Sequence, residues 1–470
     1  MTDCTADEQA GTGRKTAGMA RAGWKEIVLL TLCVSISCGF SLASRLAAGG
    51  RIKMIDFGNL YFCTRGALQH HDPYDTSQML QALEAGGRHF AADRTSQEVN
   101  KTVLTRGVYL PTALLVAVPF ALLPWGIAQN VWMLLTAALL VTAAFLTFDL
   151  GAGATPLMWA GLAGFMLAES DLLLGNPAAI VISFCVIAAW CFLKERHVWI
   201  GILLLAIGLV LKPQDSGFVW LYFLLAGGVL RKRALQTLAV TAILAGGAVL
   251  WMASVSPHWL PELHRNLAFE LARGSIDDPG PHGISTLVAN EIIDLQAIFS
   301  VFRDDPSFYN PLSYLICGTL IAIWGLTTLR RHFSMERAQL ALAAIAALSL
   351  LPVYHHPYDA SLILLALPAC AMLWNQPGVT RWLALVLTSA GALLTSRAPQ
   401  FFLDTNARAI ASFTSLLPGR LGTVMALRPA PFVYLAMGCF YLWAYVRYTP
   451  LADSLKLDQG LDSRAAAEAT

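Results

Sequence analysis

Charge is what this sequence has least of. Asp, Glu, Lys and Arg together make 13% of its 470 residues, about half of the ~25% usual in a soluble domain. That scarcity excludes a water-soluble globular fold, and with 56% of residues hydrophobic the chain reads as an integral membrane protein. A basic excess is missing too: 32 Lys and Arg against 30 Asp and Glu leave a net charge of +2, which argues for no nucleic-acid partner. Close cysteine pairs are absent. The nine cysteines show no metal-type spacing and most lie in apolar runs, where a thiol behaves as a small hydrophobe, so neither a zinc site nor a disulfide framework is expected. No processing site follows the first apolar run, Ile27 to Ala47, which is also too long for a signal-peptide core. We read it as a retained first span after a disordered cytoplasmic tail at 1–23. No internal repeat is evident, which weighs against an inverted-repeat transporter.

What the chain has instead is a series of apolar runs. A span needs about 20 mostly apolar residues, and candidates fall near 26–47, 126–148, 155–174, 177–193, 198–212, 214–230, 234–254, 311–331, 338–353, 358–374, 381–397 and 431–447. Short cytoplasmic loops carry the Lys/Arg excess, so Lys194/Arg196, Arg231 to Arg233 and Arg330/Arg331 mark that side. Counting spans from those marks puts both ends of 48–125 outside. Val108 to Leu123, with Pro111 and Pro119, then reads as a re-entrant or interfacial helix, the alternative being that it spans and a neighbour does not. The expected fold is all-α and polytopic, with about 12 transmembrane helices across 24–450, outer loops near 48–125, 255–310 and 398–430, and a cytoplasmic tail at 451–470. Within the loops, Ser77 to Ala85 and Trp259 to Arg273 space their apolar residues as short amphipathic helices do.

Polar groups at the mouths of spans are costly and so are functional candidates. On the outer side these are Asp56, Glu169, Asp171, Asn176, Lys212 and Gln214 in the LKPQD turn, and His355, His356, Tyr358 and Asp359 in PVYHHPYD. Asp56 suits a general base, or else it caps a helix or pairs with Arg51 or Lys53. Lys212 ends an unbroken apolar run, where its ammonium either binds a phosphate as a point charge or snorkels to the headgroups. His355 and His356 can donate to a phosphate or sugar oxygen or protonate a leaving group. His-His-x-x-Asp is no specific ligand spacing, so metal binding with Asp359 and plain interfacial histidines both stay open. Aromatics such as Tyr61, Tyr109 and Tyr358 are belt residues or stack on a sugar ring.

In order along the chain stand Asp56 with Tyr61 after it, HDPYD (71–75), RGVYLP (106–111), the Gly175–Asn176–Pro177 turn, LKP (211–213) and LPVYHHPYD (351–359). This arrangement resembles family 87 polyprenyl-phosphate-dependent glycosyltransferases, which have the C-type membrane glycosyltransferase fold. The resemblance implies an inverting single displacement that moves a hexose, mannose first, or a pentose from a polyprenyl-phosphate donor to an extracytoplasmic glycolipid or glycan. It implies Asp56 as base, Lys212 with His355 or His356 on the donor phosphate, and Tyr61, Tyr109, Asn176, Gln214, Tyr358 and Asp359 around the substrates. It implies no metal and no cofactor, and a multi-pass protein of the inner (plasma) membrane whose site faces outward. Many members have Gly-Gln-Asn where this chain has Gly175, Asn176 and Pro177, so the contact made at that turn differs here. The competing classes are a flippase for a lipid-linked saccharide and a glycan ligase or polymerase.

Overall fold

The structure, a computed structural model, describes residues 54–85, 104–151, 174–275, 277–280, 292–396 and 428–448. The expected span at 26–47, nearly all of that at 155–174, both tails, Glu169, Asp171 and almost the whole 398–430 loop lie outside the described residues. Among the described residues the chain is helical, without strands. In order the helices are α1 (Ile55–Leu68), α2 (Thr76–Ala85), α3 (Pro111–Ala121), α4 (Trp125–Leu150), α5 (Ala178–Leu193), α6 (Val198–Leu211), α7 (Pro213–Leu225) and α8 (Gly228–Val255). They continue with α9 (Trp259–Glu270), α10 (Gln296–Phe299), α11 (Pro306–Arg330), α12 (Met335–Leu348), a 3₁₀ segment (Asp359–Ala366), α13 (Leu367–Trp374), α14 (Val379–Thr395) and α15 (Ala430–Arg447).

Length and burial sort these helices into two kinds. α4, α8 and α11 have 26, 28 and 25 residues and are apolar enough to cross a membrane. At ~1.5 Å per residue each rises about 38–42 Å, more than the ~30 Å hydrocarbon core. Their outward side chains, among them Leu134, Ile243, Leu250 and Leu315, are exposed, as a lipid-facing surface requires. α5 is apolar on every side, and both it and α12, which carries Glu336, Arg337 and Gln339 in its first turns, are buried nearly all round, the mark of an interior helix. The expectation of about 12 spans therefore holds only in a coarser form: among the described residues there are three long apolar helices and several apolar helices of 10–17 residues. α3 has 11 residues and so rises only about 16 Å, roughly half the hydrocarbon core.

Two boundaries differ from the expectation. The basic run Arg231 to Arg233 lies inside α8, because the chain breaks earlier, at Gly227 (φ 79°) and Gly228 (φ 53°). Arg233 instead reaches back to the Phe192 carbonyl at 2.6 Å. The expected outer loop at 48–125 contains α1 near its start, whose residues Phe57 to Thr64 are all buried. Phe57 stacks on Trp132 (ring centroids 4.5 Å apart) and on Trp125 (5.7 Å), so this run is held by aromatic packing rather than by water.

Two groups of helices meet at the site. In the first, α5 packs on α4 and α6, α8 on α6, and α3 on α1. In the second, α12 packs on the 3₁₀ segment and α15, and α14 on α13 and α15. α5 and α7 join the two by touching the 3₁₀ segment and α12. The amphipathic helices form as expected: α2 buries Met79 and Leu83, while α9 buries Leu263 and Asn266 and leaves Leu260, Leu267 and Phe269 exposed. Asn266 donates to the carbonyls of Tyr74 and Gly107 at 3.0 Å each, which ties α9 to the chain leading into Tyr109. A Cβ on Gly107 would lie 2.4 Å from the Pro73 carbonyl oxygen, and backbone cannot swing aside. Gly107→Ala is expected to cost about 1–3 kcal/mol, read as a lower apparent unfolding temperature in detergent; an unchanged temperature would show that this crossing is loose.

Candidate active site

The site is assembled from four helix ends. Asp56 stands in the first turn of α1, Asn176 just before α5, Lys212 between α6 and α7, and Asp359 at the start of the 3₁₀ segment. Lys212 has non-helical backbone angles (φ −152°, ψ 82°) because Pro213 opens the next helix and offers no N–H to continue the last one. Its side chain therefore leaves the axis of both helices at the break. Gly175 has φ +67°, and a Cβ there would lie 2.8 Å from Phe57 Cβ, so only glycine lets the Asn176 turn approach α1.

Asn176 joins the acid to the cation. Its Nδ2 donates to Asp56 Oδ2 at 2.8 Å. Its Oδ1 accepts from the Ala178 N–H at 2.9 Å and from Lys212 Nζ at 3.4 Å, and two donors on one oxygen fix which way the amide points. Lys212 Nζ forms an ion pair with Asp359, stands 3.2 Å from Asp215 Oδ2 and lies 4.9 Å from the centre of the Tyr358 ring. The ammonium thus hydrogen-bonds Asn176 and Asp359, and the Asp215 carboxylate stands near it as a counter-charge without a hydrogen bond. Asp359 Oδ2 also accepts the His356 N–H at 2.9 Å, which pins the turn that carries both histidines.

The two histidines have different surroundings. His355 is buried with Nδ1 2.8 Å from the Val353 carbonyl, an acceptor, so Nδ1 carries the proton. Burial first, then Lys212, hold the His355 pKa below its ordinary value against the pull of Asp359, so the ring is neutral. Its bare Nε2 faces Asp215 Oδ1 at 3.7 Å, too far for a hydrogen bond. His356 sits between Tyr354 and Tyr358, with Nε2 3.4 Å from Asp277 Oδ1. Asp56 is partly buried, and desolvation by burial pushes its carboxyl above the ordinary range. The Asn176 bond, His356 and Lys212 oppose that rise without cancelling it.

Among the described residues, Asp215, His355 and Asp359 place ligand atoms within 4.8 Å of one another and form a group that could hold a metal ion. The Lys212 ammonium already stands against both of these carboxylates and supplies the positive charge they call for. An ion there would have to displace it.

Of the candidates named from the sequence, Asp56, Asn176, Lys212, His355, His356, Tyr358 and Asp359 are brought together. Tyr109 lies close enough for Asp56 and Asp359 to act on its hydroxyl, which burial pushes well above its ordinary pKa. Gln214 and Tyr61 are placed elsewhere. Gln214 is exposed, one residue away from Asp215, which is fully buried. Tyr61 spends its hydroxyl on the Leu123 carbonyl at 2.7 Å and its ring on Trp125. The HDPYD residues tie the outer helices together: Asp72 accepts from Ser256 Oγ at 2.7 Å, and the Tyr74 hydroxyl donates to the Tyr109 carbonyl at 2.9 Å. Asp215 and Asp277 were missed. Asp215 follows Lys212 by three residues, one helical turn, and that spacing was the available signal.

No curated protein and no solved structure matches the chain at a significant level. Residues 108–353 match glycosyltransferase family 87, a stretch that includes Tyr109, Asn176, Lys212 and Asp215 and stops just short of His355. With just over half of its length matched, this membrane protein belongs to glycosyltransferase family 87 and is a glycosyltransferase.

Proposed function

We propose that the chain transfers a single sugar, a hexose such as mannose or a pentose, from a polyprenyl-phosphate donor to a glycolipid or glycan on the extracytoplasmic face of the plasma membrane. The observation that carries this reading is the Asp56 carboxylate, partly buried and held through one oxygen by an amide that also touches Lys212. A base must be oriented and its proton affinity raised, and this arrangement does both. Asp56 takes the proton of the acceptor hydroxyl as that oxygen attacks the anomeric carbon. The bond from that carbon to the phosphate oxygen breaks, and its electron pair leaves with the phosphate. A single displacement of this kind inverts the anomeric centre.

The phosphate end of the donor is assigned to the His355–His356 turn and Lys212. Lys212, with two of its N–H bonds held by Asn176 and Asp359, acts there chiefly through its field, and a charge fixed in advance needs no reorganisation as the leaving group develops. A lipid tail requires an apolar lateral approach, which the exposed faces of the long helices offer. The membership in a glycosyltransferase family sets the flippase reading aside.

The test is to incubate the purified protein with radiolabelled polyprenyl-phosphate sugars and membrane lipid acceptors. Transfer is expected with at least one such donor, whereas sugar nucleotides in their place give none. If only sugar nucleotides are consumed, the donor class is wrong. The same assay carries a pH prediction. The base works deprotonated, so kcat/KM falls on acidification through the Asp56 pKa, and this limb lies above the ~3.9 of an ordinary Asp. Asn176→Ala removes a contact that lowers this pKa, and should move the limb to still higher pH. A limb that stays in place would detach Asn176 from the base.

A further inference from the structure

A phosphate brings negative charge to a place already rich in it. Asp215 and Asp359 flank one ammonium, and Asp56 is joined to it through Asn176, before any donor arrives. Two of the Lys212 N–H bonds are committed, to Asn176 and Asp359, and the third has the buried Asp215 carboxylate beside it. An anion arriving there calls for a further donor.

Arg428, which stands just ahead of α15, has one. Its guanidinium is buried, with the residue 6% exposed. Nη1 donates to the Pro279 carbonyl at 3.0 Å, while Nη2 is buried and meets no acceptor. A desolvated guanidinium N–H without an acceptor is costly and uncommon unless a ligand completes it.

Its position relates it to the site. Residues 277–280 form a strap gripped at both ends: Asp277 Oδ1 lies 3.4 Å from His356 Nε2, and the Pro279 carbonyl takes Arg428 and also Ser300 Oγ at 2.9 Å. Asp278 stiffens the strap by accepting the N–H groups of Gly274 at 2.7 Å and Gly280 at 2.8 Å. A second strap backs the histidine turn, with the Ile293 N–H on the His355 carbonyl and the Leu295 N–H on the Leu351 carbonyl, both at 3.0 Å. Between them Asp294 is buried, with Oδ1 accepting the Ala297 N–H at 2.9 Å and Oδ2 meeting no donor. Asp277 and Pro279, two residues apart on the first strap, hold His356 and Arg428 respectively, so the imidazole and the guanidinium are anchored to the same short segment.

We propose that Arg428, together with His356, binds the phosphate of the lipid-linked donor. This rests on the donor class proposed above. Arg428 supplies the planar, permanently charged fork suited to phosphate oxygens, and Asp294 is the counter-charge that faces it when no phosphate is present. During transfer a proton neutralises Asp56 while negative charge grows on the leaving phosphate. Charge thus moves from the Lys212 end of the site toward the Arg428 end.

The experiment titrates the full-length protein in lipid nanodiscs with a long-chain polyprenyl monophosphate, using the uncharged polyprenol as control. Wild type is expected to bind the phosphate and not the alcohol. Arg428→Gln should weaken Kd by at least about 30-fold, with Arg428→Lys recovering part of the loss because a point charge replaces a fork. Asp294→Asn removes the competing counter-charge and should tighten binding about 5-fold. The second variant decides the matter if Arg428→Gln fails to fold. Equal affinity in wild type and a folded Arg428→Gln, or unchanged or weaker affinity in Asp294→Asn, overturns the assignment of Arg428 alone. Failure of wild type to bind the polyprenyl phosphate at all overturns the donor class and this inference with it.

Discussion

Replacing Asp56 with Asn is expected to lower kcat/KM for sugar transfer by about 10³-fold, within the ~10²–10⁴ that a positioned general base supplies. Asn keeps the shape and can still meet Asn176 across 2.8 Å, so the fold should survive and the loss should fall on kcat. Donor binding reports separately. Polyprenyl-phosphate affinity should change by less than about 3-fold, because the phosphate ligands lie elsewhere and Asp56 contributes to them only at long range. The measurement is a transfer rate with saturating donor beside a donor titration. Full activity in Asp56→Asn would remove the base from this residue, and with it the reading of Asn176 as the residue that orients the base.

The second large effect concerns stability. Lys212→Met leaves Asp359 and Asp215 buried without the cation they share, and removing one partner of a buried pair costs about 3–5 kcal/mol. The variant should unfold at a markedly lower apparent temperature in detergent. Lys212→Met combined with Asp359→Leu should recover much of that loss, since an apolar pair replaces a stranded carboxylate. An unchanged unfolding temperature in Lys212→Met would mean that water reaches the pair and screens it.

How far the sequence could be read depended on the kind of signal. Long apolar runs announced α4, α8 and α11 because a span demands both length and hydrophobicity, and both are visible residue by residue. The amphipathic spacing of 77–85 and 259–273 was equally direct. Short interior helices such as α5 and α12 are harder to count as spans, because a helix buried among others needs neither full length nor a polar face. In the site, parity of spans grouped Asp56, Asn176, Lys212 and the histidine turn without any contact being known. Asp215 was hidden because an acid in the first turn of a helix usually serves the helix itself. Gln214, its neighbour, was chosen in its place, and a rotation of ~100° per residue separates an exposed side chain from a buried one. Asp277 and Arg428 come from long connections whose pairing depends on tertiary contacts that no local pattern records.

The 3₁₀ segment has a mechanical consequence. Its eight residues, wound at ~2.0 Å per residue, extend about 16 Å, where an α-helix of equal length would extend about 12 Å. The extra ~4 Å is what lets Asp359 extend from the end of α13 to an ammonium that belongs to the junction of α6 and α7. A 3₁₀ run of this length holds poorer hydrogen bonds than an α-helix, and the ion pair with Lys212 fixes its first residue. The same Asp359 accepts the His356 N–H, so the end of the segment also sets the histidine turn. The position of the histidines is thus set by the length of a helix as well as by the side chains around them.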